Sequence, residues 1–176
     1  PRAELSWRLD HNSRLSVSFN QASQNLHMLS NSSVGLPSDM WLPVNSILKP
    51  ITMRQFSGGY ERDLWNKRYT FSVEGYYRKS DGIIDYKDNA DLFLNNRIEE
   101  QVLTGESNGY GVECSLAKNS GSITGRISYT YSRSYNRIAG IEEGKQYPSI
   151  LDRPHNLKLF LNYAINPKWD LSSTFS

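Results

Sequence analysis

Successive side chains of a β-strand point to opposite faces, so a chain that alternates apolar and polar residues in step is committed to sheets with one apolar side and one wet side. This sequence does so repeatedly. Ala3, Leu5, Trp7 and Leu9 alternate with Glu4, Ser6 and Arg8. Beyond Asp10-His11-Asn12-Ser13, Leu15, Val17 and Phe19 alternate with Ser16, Ser18 and Asn20. A second hairpin is expected to pair 54–60 with 69–77 across 62–67. In its return strand Tyr69, Phe71, Val73, Gly75 and Tyr77 oppose Thr70, Ser72, Glu74, Tyr76 and Arg78. Ser57-Gly58-Gly59 weakens the outgoing strand and points to a bulge or a close backbone approach. Tyr110, Val112, Cys114 and Leu116, then Ile123, Gly125, Ile127, Tyr129 and Tyr131, form a third hairpin. Leu157, Leu159, Leu161 and Tyr163, then Trp169, Leu171 and Phe175, form a fourth, for eight strands. Residues 91–103 do not hold a 3.6-residue period and are expected to be irregular or locally β.

The connections say what kind of sheet this is. Short turns near 10–13, 62–67, 118–121 and 165–168 alternate with long loops near 21–52, 80–108 and 133–153. Soluble domains seldom carry loops beyond about 12–15 residues, whereas outer-membrane barrels combine short periplasmic turns with long extracellular loops. Composition agrees: only 38% of residues are hydrophobic, yet the chain holds eleven Tyr and four Trp. No stretch approaches the roughly 20 apolar residues of a membrane-spanning helix. A net charge of +2 without a basic stripe gives no reason to expect nucleic acid.

The expected fold is therefore all-β, an antiparallel transmembrane β-barrel with its apolar series facing lipid. Tyr69, Tyr77, Tyr131, Tyr163, Trp7 and Trp169 lie near strand ends, where an aromatic girdle belongs. Glu74, Tyr76, Arg78, Arg126, Lys158 and Asn162 are expected to face the lumen. A mid-depth Arg or Lys on the lipid face costs about 2–4 kcal/mol, and no charge is expected to interrupt the apolar series. A sandwich with its apolar faces together would show the same alternation.

No constellation of residues points to catalysis, a metal or a cofactor. His11, His27 and His155 are far apart, and none has a second ligand at metal-like spacing. Asp85, Asp88 and Asp91 with Asn89 lack the glycine and closing Glu of a calcium loop. Glu99-Glu100 and Glu142-Glu143 are expected as exposed loop charges. Asn108-Gly109-Tyr110-Gly111 precedes a strand rather than a helix and cannot cradle a phosphate as a strand-to-helix loop does. Cys114 stands alone, so there is no disulfide framework. The 21–52 loop sets Leu26, Met28, Trp41 and Leu42 among Pro37, Pro43 and Pro50. Such a loop either packs on itself or presents a surface to a ligand or partner. Met28, Trp41 and Leu42, with Phe93 of the second long loop, are the candidate contacts.

Tyr147-Pro148-Ser149-Ile150-Leu151-Asp152-Arg153-Pro154-His155-Asn156-Leu157 resembles a loop-to-strand segment of TonB-dependent outer-membrane receptors, whose Asp-Arg-Pro-His run opens a late barrel strand. Asn25-Leu26-His27-Met28-Leu29-Ser30-Asn31, Ser72-Val73-Glu74-Gly75-Tyr76-Tyr77-Arg78-Lys79, Ile84-Asp85-Tyr86-Lys87-Asp88, Gly109-Tyr110-Gly111-Val112-Glu113 and Ile127-Ser128-Tyr129-Thr130-Tyr131-Ser132-Arg133-Ser134 are also similar, in order along nearly the whole chain. The resemblance implies a bacterial outer-membrane barrel of about 22 strands, filled by a plug domain. It further implies import of a scarce ligand (iron chelate, cobalamin, glycan or peptide) with energy relayed through TonB. Outer-membrane lipid, the plug, the remaining strands and TonB are the implied partners, and a surface lipoprotein is a further candidate. No ligand-binding residue carries over by motif. Asp152, Arg153, Pro154 and His155 are read as architecture, with Pro154 fixing φ at a rigid strand entry.

The chain opens on Pro1-Arg2-Ala3-Glu4 without a signal peptide and ends at Phe175-Ser176 without the family's closing aromatic. Residues 1–176 are therefore expected to be a partial barrel without a plug. The competing readings are a complete eight-stranded barrel acting as anchor or porin, and a soluble lipocalin-like β-barrel binding module.

Overall fold

A computed structural model of the chain describes residues 1–29, 40–87 and 98–176. The strands are β1 (Arg2–Arg8), β2 (Ser13–Gln24), β3 (Leu26–Leu29), β4 (Met40–Pro43), β5 (Ile51–Leu64), β6 (Tyr69–Tyr86), β7 (Val102–Lys118), β8 (Ile123–Ile138), β9 (Tyr147–Pro148), β10 (His155–Asn166) and β11 (Trp169–Phe175). One antiparallel sheet runs β1-β2-β5-β6-β7-β8-β10-β11, each strand beside its neighbour in sequence apart from the loop insertions. β9 adds to β8, and β3–β4 is a separate hairpin. Among the described residues the only helical elements are two three-residue 3₁₀ turns, Ile98–Glu100 and Glu142–Gly144.

The register converts the sequence alternation into rows. Trp7, Leu15, Tyr60, Val73, Cys114, Tyr129 and Leu157 are successive cross-strand partners on one face. On the other face, Ser16, Gly59, Glu74, Glu113, Thr130 and Asn156 form a polar row. Serine pairs tie that face together, with Ser18 Oγ 2.7 Å from Ser57 Oγ and Ser72 Oγ 2.8 Å from Ser115 Oγ. Among the described residues no second layer covers the apolar face: Val112 is 47% exposed, Ile127 46% and Leu157 46%. A sandwich would bury this face, so the sheet is built to meet lipid on that side. The architecture is that of a β-barrel wall.

Four tight turns close one end. Asn12 N–H donates to Asp10 Oδ1 (2.7 Å) in the first, a bond that holds the Asp10 carboxyl below the usual aspartate range. The second turn is Trp65-Asn66-Lys67-Arg68, whose first three residues have φ of 48°, 55° and 65°. It lies later than the expected 62–67, because β5 continues to Leu64. Trp65 packs edge-on against Tyr69, with ring centroids 5.3 Å apart. Trp7, Tyr163 and Trp169 lie on the apolar face near these turns, spread across the sheet, and Tyr77, Tyr110 and Tyr131 lie on it towards the opposite end.

Four expectations are corrected. The strands are longer than the alternation suggests: β6 has 18 residues and β7 17, against the roughly 9–11 that cross a bilayer. The long connections shrink accordingly to 25–50, 87–101 and 139–154. Asn108-Gly109-Tyr110-Gly111 lies inside β7, not ahead of a strand. No bulge forms at Gly58-Gly59. Their ladders to β2 and β6 are continuous, and the register shift falls between Asp81 and Ile83, where Gly82 has φ of +83°. The apolar series does carry charge. Arg62 lies on it near the tight turns, and Arg54, Lys79 and Arg133 lie on it towards the loop end. Arg62 is close to the turn end of β5, and Arg54, Lys79 and Arg133 lie about 10 residues from the tight turns, the length that crosses a bilayer, so each falls near an interface, where the cost of a cation falls to about 0–1 kcal/mol.

Candidate ligand site at the loop end of the sheet

Two glycines shape the polar face where the strands leave the bilayer. A Cβ at Gly111 would lie 2.9 Å from Tyr76 Cε1, and one at Gly109 would lie 3.5 Å from Arg78 Nη2. Tyr76 faces Gly111 in the ladder, and Arg78 faces Gly109. The bare glycine positions therefore let the ring and the guanidinium lie close against β7. This is the physical content of the Gly-Tyr-Gly run: its glycines occupy one face at the spacing of a strand, and Tyr110 occupies the other.

A roof comes from the first long loop. β3 and β4 pair Leu26 with Pro43, His27 with Leu42, Met28 with Trp41 and Leu29 with Met40. The inner face of this hairpin carries His27, Leu29, Met40 and Leu42. Leu29 joins Leu48 and Val102 in a buried cluster, against which Met40, Leu42, Ile84 and Tyr86 pack. Asn45 Oδ1 accepts from the N–H groups of Ile47 and Leu48, both at 2.8 Å, and so turns Leu48 into that cluster. His27 is fully buried, its Nε2–H donating to the Lys49 carbonyl at 2.9 Å. The outer face carries Leu26, Met28, Trp41 and Pro43, all exposed.

The third wall is the segment before β10. Ser149 N–H bonds the Ser134 carbonyl and Ser132 N–H bonds the Pro154 carbonyl, but residues 150–153 bow away from β8. That leaves the Ser134 N–H without a strand partner, and Asp152 Oδ1 accepts from it at 2.6 Å. Asp152 Oδ2 lies 3.0 Å from Arg133 Nε, and the Asp152 side chain is 8% exposed. Asp152 thus closes the gap in the ladder, and Pro154 resumes it. His155 stands on the apolar face opposite Tyr131, its Nδ1 2.7 Å from the Tyr129 hydroxyl. Further out, the Tyr147 hydroxyl donates to Asp85 Oδ2 at 2.9 Å. Burial first, and the Asp85 carboxylate second, push its pKa upward.

These three walls enclose a cavity of about 330 Å³. Met28, Tyr76, Arg78, Asp152 and Arg153 line it. Of the other candidates, Trp41 is Met28's neighbour on the outer hairpin face, while Leu42 turns inward and is not a free contact surface. Glu74, Arg126 and Lys158 lie on the polar face but nearer the tight turns. Phe93 lies outside the described residues, as do Asp88 and Asp91. His27, weighed above only as a metal ligand, also lines the cavity, as do Ser107, Ser132 and Ser134, which were not among the candidate contacts. For the serines a signal exists, since their parity puts them on the face of Tyr76 and Arg78. Among the described residues no group of three or more His, Cys, Asp and Glu side chains is placed to hold a metal.

A family model described as TonB dependent receptor-like, beta-barrel, matches residues 1–176. No curated protein matches the chain.

Proposed function

This chain belongs to the TonB-dependent receptor-like β-barrel family, and from that premise we propose that its antiparallel sheet is part of the wall of a larger, plugged barrel that captures a scarce ligand at the loop end of the sheet. The family is one of transporters in the outer membrane of Gram-negative bacteria, so the chain is an outer-membrane β-barrel protein with a receptor and transport role. Full-length members work with a plug domain and with TonB. Catalysis is not the family's business.

The observation that carries the proposal is the convergence of three elements on one cavity. The glycine-bedded polar face, the β3–β4 hairpin and the 149–154 segment meet where the long loops are. In a barrel the polar face is the lumen wall, so Glu74, Tyr76, Arg78, Arg126 and Lys158 line the passage. Met28 stands at its mouth, and Trp41 stands beside Met28 on the exposed hairpin face. An exposed apolar strip of Leu26, Met28, Trp41 and Pro43 outside the bilayer suits a ligand or a partner such as a surface lipoprotein. β1 and β11 each keep one unpaired edge and do not pair with each other, which favours a wall continued by further strands over a closed eight-stranded barrel. The ligand itself belongs to the scarce nutrients, iron chelate, cobalamin, glycan or peptide, that such receptors import.

The test is uptake by cells whose receptor has residues 26–43 replaced with a short Gly-Ser linker. Uptake should fall at least tenfold while the amount of receptor in the outer membrane is unchanged. Undiminished uptake and undiminished partner binding would remove the hairpin from the site.

A further inference from the structure

We infer that the cavity roofed by the β3–β4 hairpin is an anion subsite, in which Arg78 and Arg153 grip a carboxylate or phosphate group of the captured ligand. The inference rests on the reading of this cavity as the ligand-binding end of the receptor, and adds to it the chemistry of what is held.

The argument is one of charge. The ionisable residues around the cavity are Arg78, Arg133, Asp152, Arg153 and His27, with Arg133 on the apolar side of β8 by register. Asp152 is the sole carboxylate among them, and both its oxygens are engaged. Oδ1 takes the Ser134 N–H at 2.6 Å, and Oδ2 faces Arg133 Nε at 3.0 Å. Arg133 is thereby compensated. His27 is committed through Nε2 to the Lys49 carbonyl. Arg78 and Arg153 have no acidic partner among the described residues. Two uncompensated guanidiniums on one partly enclosed space create a positive potential that bulk water screens poorly. Hydroxyls add donors, since Tyr76 and Ser134 point from the same face and the Ser134 side chain has no hydrogen-bond partner among the described residues.

Geometry supports the same conclusion. Arg78 lies over Gly109, which holds its planar fork near the sheet and limits the freedom lost on binding. A guanidinium matches a carboxylate or a phosphate with two parallel hydrogen bonds, and a second one from the opposite wall closes on the remaining oxygens. Arg153 supplies that second wall from the segment held to β8 by Asp152 and by the Ser132 hydroxyl, which donates to the Arg153 carbonyl at 3.2 Å. Arg153 thus combines an anchored backbone with an exposed, unpaired side chain.

The experiment uses the full-length receptor in detergent at low salt, titrated with inorganic phosphate and separately with citrate while its thermal midpoint is followed. A ligand that binds only the folded protein raises the midpoint by mass action. At least one anion should raise it, and the arm that responds identifies phosphate or carboxylate as the preferred group. Arg78→Gln and Arg153→Gln should each weaken that binding at least tenfold. Because Arg153 is exposed, its variant folds whatever becomes of the other.

Three results would overturn the inference: no shift with either anion, a shift that both variants retain in full, or variants with lower unliganded midpoints and unchanged anion binding. The last would mean that the guanidiniums pair with carboxylates elsewhere in the receptor, the plug included. Loss of uptake on hairpin replacement without any anion binding would sink this inference alone. Arginine-dependent anion binding with undiminished uptake would instead sink the hairpin's role in the proposed function.

Discussion

Gly111 is hemmed in from two strands: a Cβ there would lie 2.9 Å from the Tyr131 carbonyl oxygen and 2.9 Å from Tyr76 Cε1. The Tyr76 ring could swing away, but the backbone oxygen cannot without parting β7 from β8. Gly111→Val should therefore cost about 1–3 kcal/mol, as overpacking does. It should also lift Tyr76 off the floor of the cavity. Gly58 is the internal control. It is equally central in its strand, yet a Cβ there meets nothing nearer than the Ser16 carbonyl oxygen at 3.9 Å. Urea unfolding in detergent micelles should place Gly111→Val well below the parent receptor and Gly58→Ala close to it. Equal midpoints for the two variants would mean that close packing of Tyr76 is not what position 111 requires.

The β3–β4 hairpin has two faces with opposite duties. Leu48 is 1% exposed and sits at the centre of the cluster that fastens the hairpin to β6 and β7, whereas Trp41 is 55% exposed on the other side. Leu48→Ala should cost about 2–5 kcal/mol locally, and limited proteolysis should then cut within 25–50 in folded receptor. Trp41→Ala should leave the loop resistant and act on ligand or partner binding alone. Equal protease sensitivity in both variants would overturn this division.

The hairpin also marks where legibility in the sequence stops. The eight main strands were legible because one face of each is apolar by physical necessity, so the period of two survives along most of each bilayer-spanning stretch, with exceptions such as Gly58 in the apolar row of β5 and Phe160 on the polar face opposite Arg126. Outside the bilayer that necessity lapses. Ile83-Ile84-Asp85-Tyr86 no longer alternates, yet it remains in the ladder through backbone hydrogen bonds to residues 102–105. For the same reason Leu42 looked equivalent to Trp41 until the pairing of Met28 with Trp41 set their faces apart. The cavity was hidden for a different reason. Met28, Arg78 and Arg153 meet through register and loop folding, neither of which local spacing encodes. The Asp-Arg-Pro-His run was visible as a strand entry, but the unpaired Ser134 N–H that Asp152 serves appears only when β9 and β10 are seen flanking a gap.

At the scale of the whole molecule the sheet has one uncovered apolar face, and its energetics invert those of a soluble protein. Ile127 lies in the middle of this face between Leu116 and Leu159, and it is 46% exposed. Its chain neighbour Ser128 faces the polar side between Ser115 and Lys158. Were the apolar face bathed in water, Ile127→Arg would be an ordinary surface substitution, within about 0.5 kcal/mol of neutral. Against hydrocarbon at mid-depth it should cost about 2–4 kcal/mol. Ser128→Arg adds its charge to the lumen wall, where water solvates it, and should fold normally. Reversible unfolding of the full-length receptor in lipid bilayers measures both. A large loss for position 127 beside a small one for position 128 is the expected result, and it requires the chain to have its apolar rows against lipid. A small loss at both positions would leave the apolar face without a reason to exist, and would undo the barrel orientation on which the lumen, the cavity and the route of the ligand all depend.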